Sequence, residues 1–405
     1  MERRHRVSLG LESRSMSLHP QTLALHGGHR ADPVTGATAP PIYFTTSYHY
    51  PSADYARRLF GMEVIGYTYT RTSNPSREVL ERRVAAMEGG KAALALASGA
   101  AAVADALLAL AQTGDNVVFA RATLRGAGRD LAIQLRRFGI EPREAETVAD
   151  FAAATDARTR LWFAESVSAP GLQRFPIAAV AAAGRALGVP LAIDNSRLPA
   201  LVRPVEEGAA IVIYAADSWL TGREGSLGGV LVDAGTFSWE SHRFPTLYTP
   251  DPSYHGAIWT EVVKQWNASP LIARARGGVL RDFGAAISPM AVFQILQGLE
   301  SLPLRMRAHA ENAARVADWL TLRPEARDLR VAGGLVAFAW PAAEKFLAAL
   351  TLFQRDGGLG GLRSAATATD DGRILLSVGV EHPDDILADL QAALISTPTL
   401  VSNPT

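Results

Sequence analysis

Ala209-Ala210-Ile211-Val212-Ile213-Tyr214-Ala215-Ala216-Asp217-Ser218-Trp219-Leu220-Thr221-Gly222 is the stretch whose reading decides the fold. An uncharged run meets Asp217 and then a turn closed by Gly222. No polar residue alternates along Ala210 to Tyr214, so the strand it predicts is buried on both faces. The same signature recurs upstream in Asp115-Asn116-Val117-Val118-Phe119-Ala120, in Thr159-Arg160-Leu161-Trp162-Phe163-Ala164-Glu165 and in Val189-Pro190-Leu191-Ala192-Ile193-Asp194. Helical signals separate these runs: the charged segment Glu78 to Glu88, and the alanine-rich segment Ile177 to Leu187, which Gly188 and Pro190 end. Alternation of this kind from about Glu78 to Val232 predicts an α/β fold with a mostly parallel sheet covered on both faces.

Outside that region the pattern changes. From about Ser288 a helix signal runs through Met290 to Gly298, and a second from Glu300 to Leu320. Shorter strands and helices follow, among them Leu375 to Gly379 as a strand and Pro383 to Leu394 as a helix, which predicts a smaller C-terminal α/β domain. Residues before about Gly61 form an arm rich in turns, Pro40 and Pro41 among them. The expected division is 1–60 for tail and arm, 61–257 for the large domain and 258–405 for the C-terminal domain.

Composition narrows the function. The chain has 405 residues, 48% hydrophobic and 20% charged, which suits two globular domains. Forty basic and forty acidic residues balance, so no surplus charge points to nucleic acid or an anionic membrane. With no cysteine, disulfides and thiolate chemistry are excluded. The apolar stretch Ala92 to Ala111 contains Ser98, Gly99 and Asp105 and reads as a strand or loop entering a helix, not as a membrane span. Met1 to Met16 hold Arg3, Arg4, His5 and Arg6 without an apolar core. They read as a tail or an over-called start, not a secretory signal, and a cytoplasmic protein is expected.

Several phrases carry chemistry. Tyr67-Thr68-Tyr69-Thr70-Arg71-Thr72-Ser73-Asn74-Pro75-Ser76 precedes the helix ending Met87-Glu88-Gly89-Gly90, and Leu96-Ala97-Ser98-Gly99-Ala100-Ala101 follows. Three further stretches are Thr45-Thr46-Ser47-Tyr48, Pro250-Asp251-Pro252-Ser253-Tyr254-His255-Gly256 and Gln297-Gly298-Leu299-Glu300-Ser301-Leu302-Pro303-Leu304-Arg305-Met306. Together they make the chain resemble the Cys/Met-metabolism (transsulfuration) family of pyridoxal-phosphate (PLP) enzymes. The O-acetylhomoserine sulfhydrylase subgroup is the most similar, and the resemblance runs from about Gln21 to Leu394. It implies a fold-type-I PLP-transferase of sulfur amino-acid metabolism that assembles as a homodimer or homotetramer.

The resemblance assigns cofactor-binding roles to six residues. Tyr69 and Arg71 match the pair that reaches a neighbouring subunit's PLP phosphate, for which a planar guanidinium is suited. Ser98, Gly99 and Ala100 match the turn whose backbone N–H groups cradle that phosphate. Asp194 matches the carboxylate paired with the pyridinium nitrogen. Read from the residues alone, Ser98 to Ala100 is also ordinary strand-to-helix punctuation, Asp194 also a turn or N-cap residue, and Arg71 also a surface ion-pair partner.

Other family positions have changed. The Schiff-base lysine aligns with Ser218, and the chain's three lysines, Lys91, Lys264 and Lys345, lie elsewhere. A hydroxyl cannot form a Schiff base. The phosphate-binding serine and threonine align with Ala215 and Asp217, the ring-stacking tyrosine with Arg125, the asparagine before Pro170 with Ala169, and the substrate-binding arginine with Leu375. Arg373 falls on the same strand face as Leu375, where it either replaces that arginine or sits solvated at the strand end. The loop from Ser364 to Asp370 is short for the family. The losses leave no catalytic residue and two expectations. One is a non-catalytic homologue that assembles with itself or with an active paralogue. The other is an enzyme that binds PLP or another phosphate ligand without a covalent bond, or one repurposed to use Asp217, Arg223, Glu224 or Arg125 on a new ligand.

Overall fold

The computed structural model describes residues 18–355, 358–369 and 371–396, so the Met1 to Met16 tail lies outside the described residues. The uncharged run becomes strand β6 (Ile211–Ala215) of a seven-stranded sheet. Its companions are β1 (Ala92–Leu96), β2 (Asn116–Ala120), β3 (Glu141–Ala145), β4 (Thr159–Glu165), β5 (Leu191–Asp194) and β7 (Gly229–Asp233), in the order β1-β7-β6-β5-β4-β2-β3. The β2–β3, β2–β4, β4–β5 and β5–β6 pairings are parallel, and β7 runs antiparallel between β6 and β1. The sheet is therefore mostly parallel, as the continuous apolar strands require.

Both faces are covered. On β6, Val212 and Tyr214 join one apolar cluster with Leu80 and Ile177, while Ile211 and Ile213 join another with Leu107 and Trp259. The first face carries α1 (Pro75–Glu88) and α3 (Ile177–Ala186), and the second carries α2 (Gly99–Leu110) and the short helices between Trp259 and Phe283. α1 starts as its sequence says, with Asn74 accepting from the Ser76 N–H and Pro75 in the first turn. No helix among the described residues is long and apolar enough to cross a membrane.

The two helix signals on either side of Leu299 turn out to be one helix, α4 (Pro289–Thr321), with Pro303 inside it. Gly298, which closes the first signal in the sequence, is not a terminator. A Cβ there would overlap the Leu220 carbonyl and Thr221, so glycine serves the close approach of α4 to the turn after β6. At about 1.5 Å per residue α4 spans roughly 50 Å. Ile295 and Leu299 pack into the core of the large sheet, and Val316 and Leu320 into a third cluster with Phe338, Leu376 and Leu390.

That third cluster lies against a four-stranded antiparallel sheet of β8 (Arg327–Ala332), β9 (Leu335–Ala339), β10 (Ala365–Ala368) and β11 (Arg373–Ser377), ordered β10-β11-β9-β8. The stretch after Ser364, expected to be a loop, forms β10, while Asp370 lies outside the described residues.

Candidate functional site

Parallel strands end together, and their carboxyl ends open a crevice where ligands bind in open α/β sheets. Here β4 ends at Glu165, registered opposite Asp194 at the end of β5, and β5 pairs with β6 up to Ile213. A cleft of about 850 Å³ opens at these ends, lined by Glu165, Asp194, Ser196, Arg197, Ala215, Asp217, Ser218 and Glu224, with Ala127, Leu227 and Leu359 in its apolar wall. Asp194 and Ser218 thus share one cleft.

The floor is built locally. Asp194 Oδ1 accepts from the Ser196 N–H at 2.9 Å and the Ser196 hydroxyl at 2.5 Å, and Ser196 Oγ accepts from the Ala215 N–H at 2.7 Å. One serine thereby ties the end of β5 to the end of β6. The Arg197 guanidinium donates to the Glu165 carboxylate and, at 3.2 Å, to the Val167 carbonyl. Burial raises the Glu165 carboxyl, and Arg197 opposes that rise.

The turn after β6 is held from α4. Arg305 donates to the carbonyls of Trp219 at 2.9 Å, Leu220 at 3.0 Å and Gly298 at 2.9 Å, and burial lowers its pKa to about 10. Within the turn, the Ser218 carbonyl accepts from the Gly222 N–H at 2.6 Å and the Asp217 carbonyl from Thr221 Oγ1 at 2.7 Å. The Trp219 ring is buried against the edge of His309, and a Cβ at Gly360, where φ is +100°, would overlap it. The Ser218 hydroxyl has a 3.5 Å contact with Asp217 Oδ1. The turn is well braced, and the chemistry it presents is one hydroxyl and one carboxylate.

The remaining expected residues fall around the cleft. Ser98 caps α2 by accepting from the Ala101 N–H at 3.1 Å, and a Cβ at Gly99 would lie 2.6 Å from that of Ala215. The start of α2, which includes Ala100, therefore backs the cleft wall through Ala215. Tyr69 and Arg71 do not line the cleft. Arg71 lies 5.4 Å over the Tyr69 ring and donates to the Arg281 carbonyl. Arg77 and Arg276 both donate to the Thr72 carbonyl, which fixes this loop. Tyr69 remains 45% exposed.

Asp217 and Glu224 line the cleft, whereas Arg223 and Arg125 do not. Arg125 turns outward to chelate Glu144, at 3.0 and 3.1 Å, and holds that carboxyl below its usual range. Leu375 is buried in the core. Arg373 pairs with Asp371 at 3.2 Å and Asp328 at 3.7 Å, so it sits at the strand end and not in the cleft.

Sequence reasoning misses the Glu165–Arg197 pair, although Arg197 stands close behind Asp194 in Asp194-Asn195-Ser196-Arg197. It also misses a buried relay behind β6. The Tyr214 hydroxyl donates to Glu88, Asn195 Nδ2 donates to Tyr214 at 3.2 Å, and burial pushes the Glu88 carboxyl up to about 7. The available signal is a glutamate at the end of α1 and a tyrosine in an otherwise aliphatic strand.

A profile of the Cys/Met metabolism PLP-dependent enzymes matches residues 21–335. The chain belongs to this family. Within it, the chain is 37% identical to O-acetyl-L-homoserine sulfhydrylase of Leptospira meyeri, over 95% of this chain and 98% of that one. It is 35% identical to homocysteine synthase of Schizosaccharomyces pombe, over 93% and 98%. The structure of a putative O-acetylhomoserine (thiol)-lyase from Campylobacter jejuni superposes with a TM-score of 0.87 at 29% identity, covering 93% of this chain and 100% of that one. That protein carries a pyridoxyl-lysine monophosphate residue.

The fold is accordingly fold type I, and PLP is the family's cofactor. Among the described residues, no lysine lines this cleft, and Asp217 stands beside Ser218. An aldehyde would find no amine to bind covalently, and the Asp217 carboxylate would repel a phosphate dianion held beside it. These residues do not fit a covalently held PLP.

Proposed function

We propose that this chain is a non-catalytic homologue of the O-acetylhomoserine sulfhydrylases, unable to form an internal aldimine and acting as a structural or partner subunit within an oligomer. Ser218 in a cleft without lysine carries the reading. It is supported by Arg125, which pairs with Glu144 instead of facing the cleft, and by Leu375, whose apolar side chain lies in the core. Tyr69 and Arg71, held in a braced loop away from their own cleft, are the groups the chain offers a neighbour. Ser98, Gly99, Ala100 and Asp194 are the contacts left for a cofactor held without a covalent bond.

The test is spectroscopic. The purified chain incubated with PLP should show no visible aldimine band, and borohydride reduction should leave no phosphopyridoxyl label on any cleft peptide. A stoichiometric cleft label overturns the reading. Light scattering at micromolar concentration should report an oligomer, and a monomer removes the subunit role.

A further inference from the structure

A second cavity shares no lining residue with the cleft. It holds about 460 Å³ between the stretch from Leu59 to Ser73 and the short helices from Trp259 to Arg281. Ligand pockets span roughly 300–1,000 Å³ and are mostly apolar. This wall is apolar too, with Leu59, Phe60, Trp259, Val262, Trp266 and Ile272 among its side chains. It is also held in place. Trp259 Nε1 donates to Asp251 at 2.9 Å, and a Cβ at Gly277 would lie 2.4 Å from the Trp259 ring.

The charge on that wall has one sign. Arg276 and Arg281 line the cavity, and among the described residues no carboxylate does. Arg281 is matched by Asp282 at 2.7 Å. Arg276 is not matched. Its Nη2 lies 2.6 Å from the Glu81 carboxylate, and Arg77 Nε lies 3.2 Å from the same group. Arg77 and Glu81 are only 2% and 5% exposed. Two guanidiniums on one buried carboxylate leave one positive charge over, where water compensates it poorly. Burial first, and then the Arg276 charge, lower the Arg77 pKa to about 10. Glu78, whose charge also reaches Arg77, is taken by Arg82 at 3.1 Å and by the Tyr67 hydroxyl at 2.9 Å. Donors remain as well. Arg276 Nη1 donates to the Thr72 carbonyl at 3.1 Å and Nη2 to Glu81, so its Nε–H has no acceptor among the described residues. Ser73 follows that carbonyl and lines the same cavity. Its hydroxyl accepts from the Thr68 N–H at 3.4 Å and donates to no group among the described residues.

We propose that this cavity binds an aliphatic carboxylate, with the carboxylate on Arg276 and Ser73 and the alkyl chain against Trp259, Trp266 and Ile272. The head group supplies the negative charge that the Arg77–Glu81–Arg276 cluster lacks, through charge-assisted hydrogen bonds. The chain removes apolar wall from water, at about 25 cal/mol per Å². The site does not depend on what the cleft holds.

The test is calorimetric titration of the full chain with octanoate, near neutral pH and below the micelle concentration, using octanol and acetate as controls. Octanoate should saturate one site per chain and bind about tenfold tighter than octanol, and acetate should not bind. Arg276→Gln leaves Arg77 and Glu81 balanced, and the Thr72 carbonyl keeps its bond from Arg77. That variant should melt with the parent, bind octanoate about tenfold more weakly and bind octanol as before. Ala273 lines the cavity, so Ala273→Phe should fill it and abolish binding of both. No saturable octanoate binding, octanol binding as tight as octanoate, or an Ala273→Phe chain that binds like the parent overturns the proposal, whether or not Arg276→Gln folds. Light scattering during the titration should show an unchanged assembly. An oligomer that dissociates as octanoate binds overturns the proposal in favour of a second copy as the occupant.

Discussion

Arg305 on α4 donates to the Trp219 carbonyl at 2.9 Å and so fixes, from a neighbouring helix, the turn that presents Ser218. Its other bonds go to the Leu220 and Gly298 carbonyls and the Ser301 hydroxyl, which uses the whole guanidinium fork. Gly222, at φ +67°, lets the fork approach, since a Cβ there would lie 2.6 Å from Arg305 Nη1. Arg305→Ala would leave the Trp219 and Leu220 carbonyls without donors, while the Gly298 carbonyl keeps the Ser301 hydroxyl at 3.3 Å, and should cost about 3–5 kcal/mol. Arg305→Lys should recover only part of that loss, because an ammonium lacks the planar fork. Urea unfolding of both variants measures the difference, and a loss under about 1 kcal/mol for the alanine variant would show the brace to be dispensable.

Restoring the amine should not restore the enzyme. A lysine introduced by Ser218→Lys would sit beside Asp217, whose carboxylate favours its charged form and so opposes nucleophilic attack on an aldehyde. Arg125 would still be committed to Glu144, and Leu375 would still offer a substrate carboxylate no donor. The variant is expected to show no sulfhydrylase turnover with O-acetylhomoserine. Measurable turnover would mean that the lysine alone separates this chain from its active relatives.

The strands were legible because β4, β5 and β6 are buried on both faces and so carry apolar runs from Leu161 to Ala164, from Leu191 to Ile193 and from Ile211 to Ala215. α4 was not legible as one helix, because Gly298 looks like a stop in sequence and is a contact point in space. Asp194 and Ser218 could be placed together because Asp194 ends β5 and Ser218 follows β6, its parallel neighbour. The outward turn of Arg125 could not be foreseen, since its partner Glu144 lies on β3, a separate element. The same holds for Arg197, whose partner Glu165 ends a different strand.

The buried Glu88 makes stability depend on pH in a stated direction. Its carboxyl, ordinarily near 4.5, is pushed up to about 7 by burial, while Tyr214 donates to it and limits the rise. An acid whose folded pKa exceeds its unfolded pKa binds more protons folded than unfolded. Its contribution is fully present below about 4.5 and is lost as pH rises through about 7. The span corresponds to at most about 3 kcal/mol. Asp105, also pushed up to about 7 by burial, acts in the same window with the same sign. Glu88→Gln removes one of the two titrations and keeps an amide that can still accept from Tyr214. The variant should therefore lose less stability than the parent between about pH 5 and pH 8, by about 2 kcal/mol, and adding Asp105→Asn should flatten the profile further. Urea midpoints across that range decide it. A Glu88→Gln profile parallel to the parent's would mean that Glu88 is not protonated in the folded chain near neutral pH.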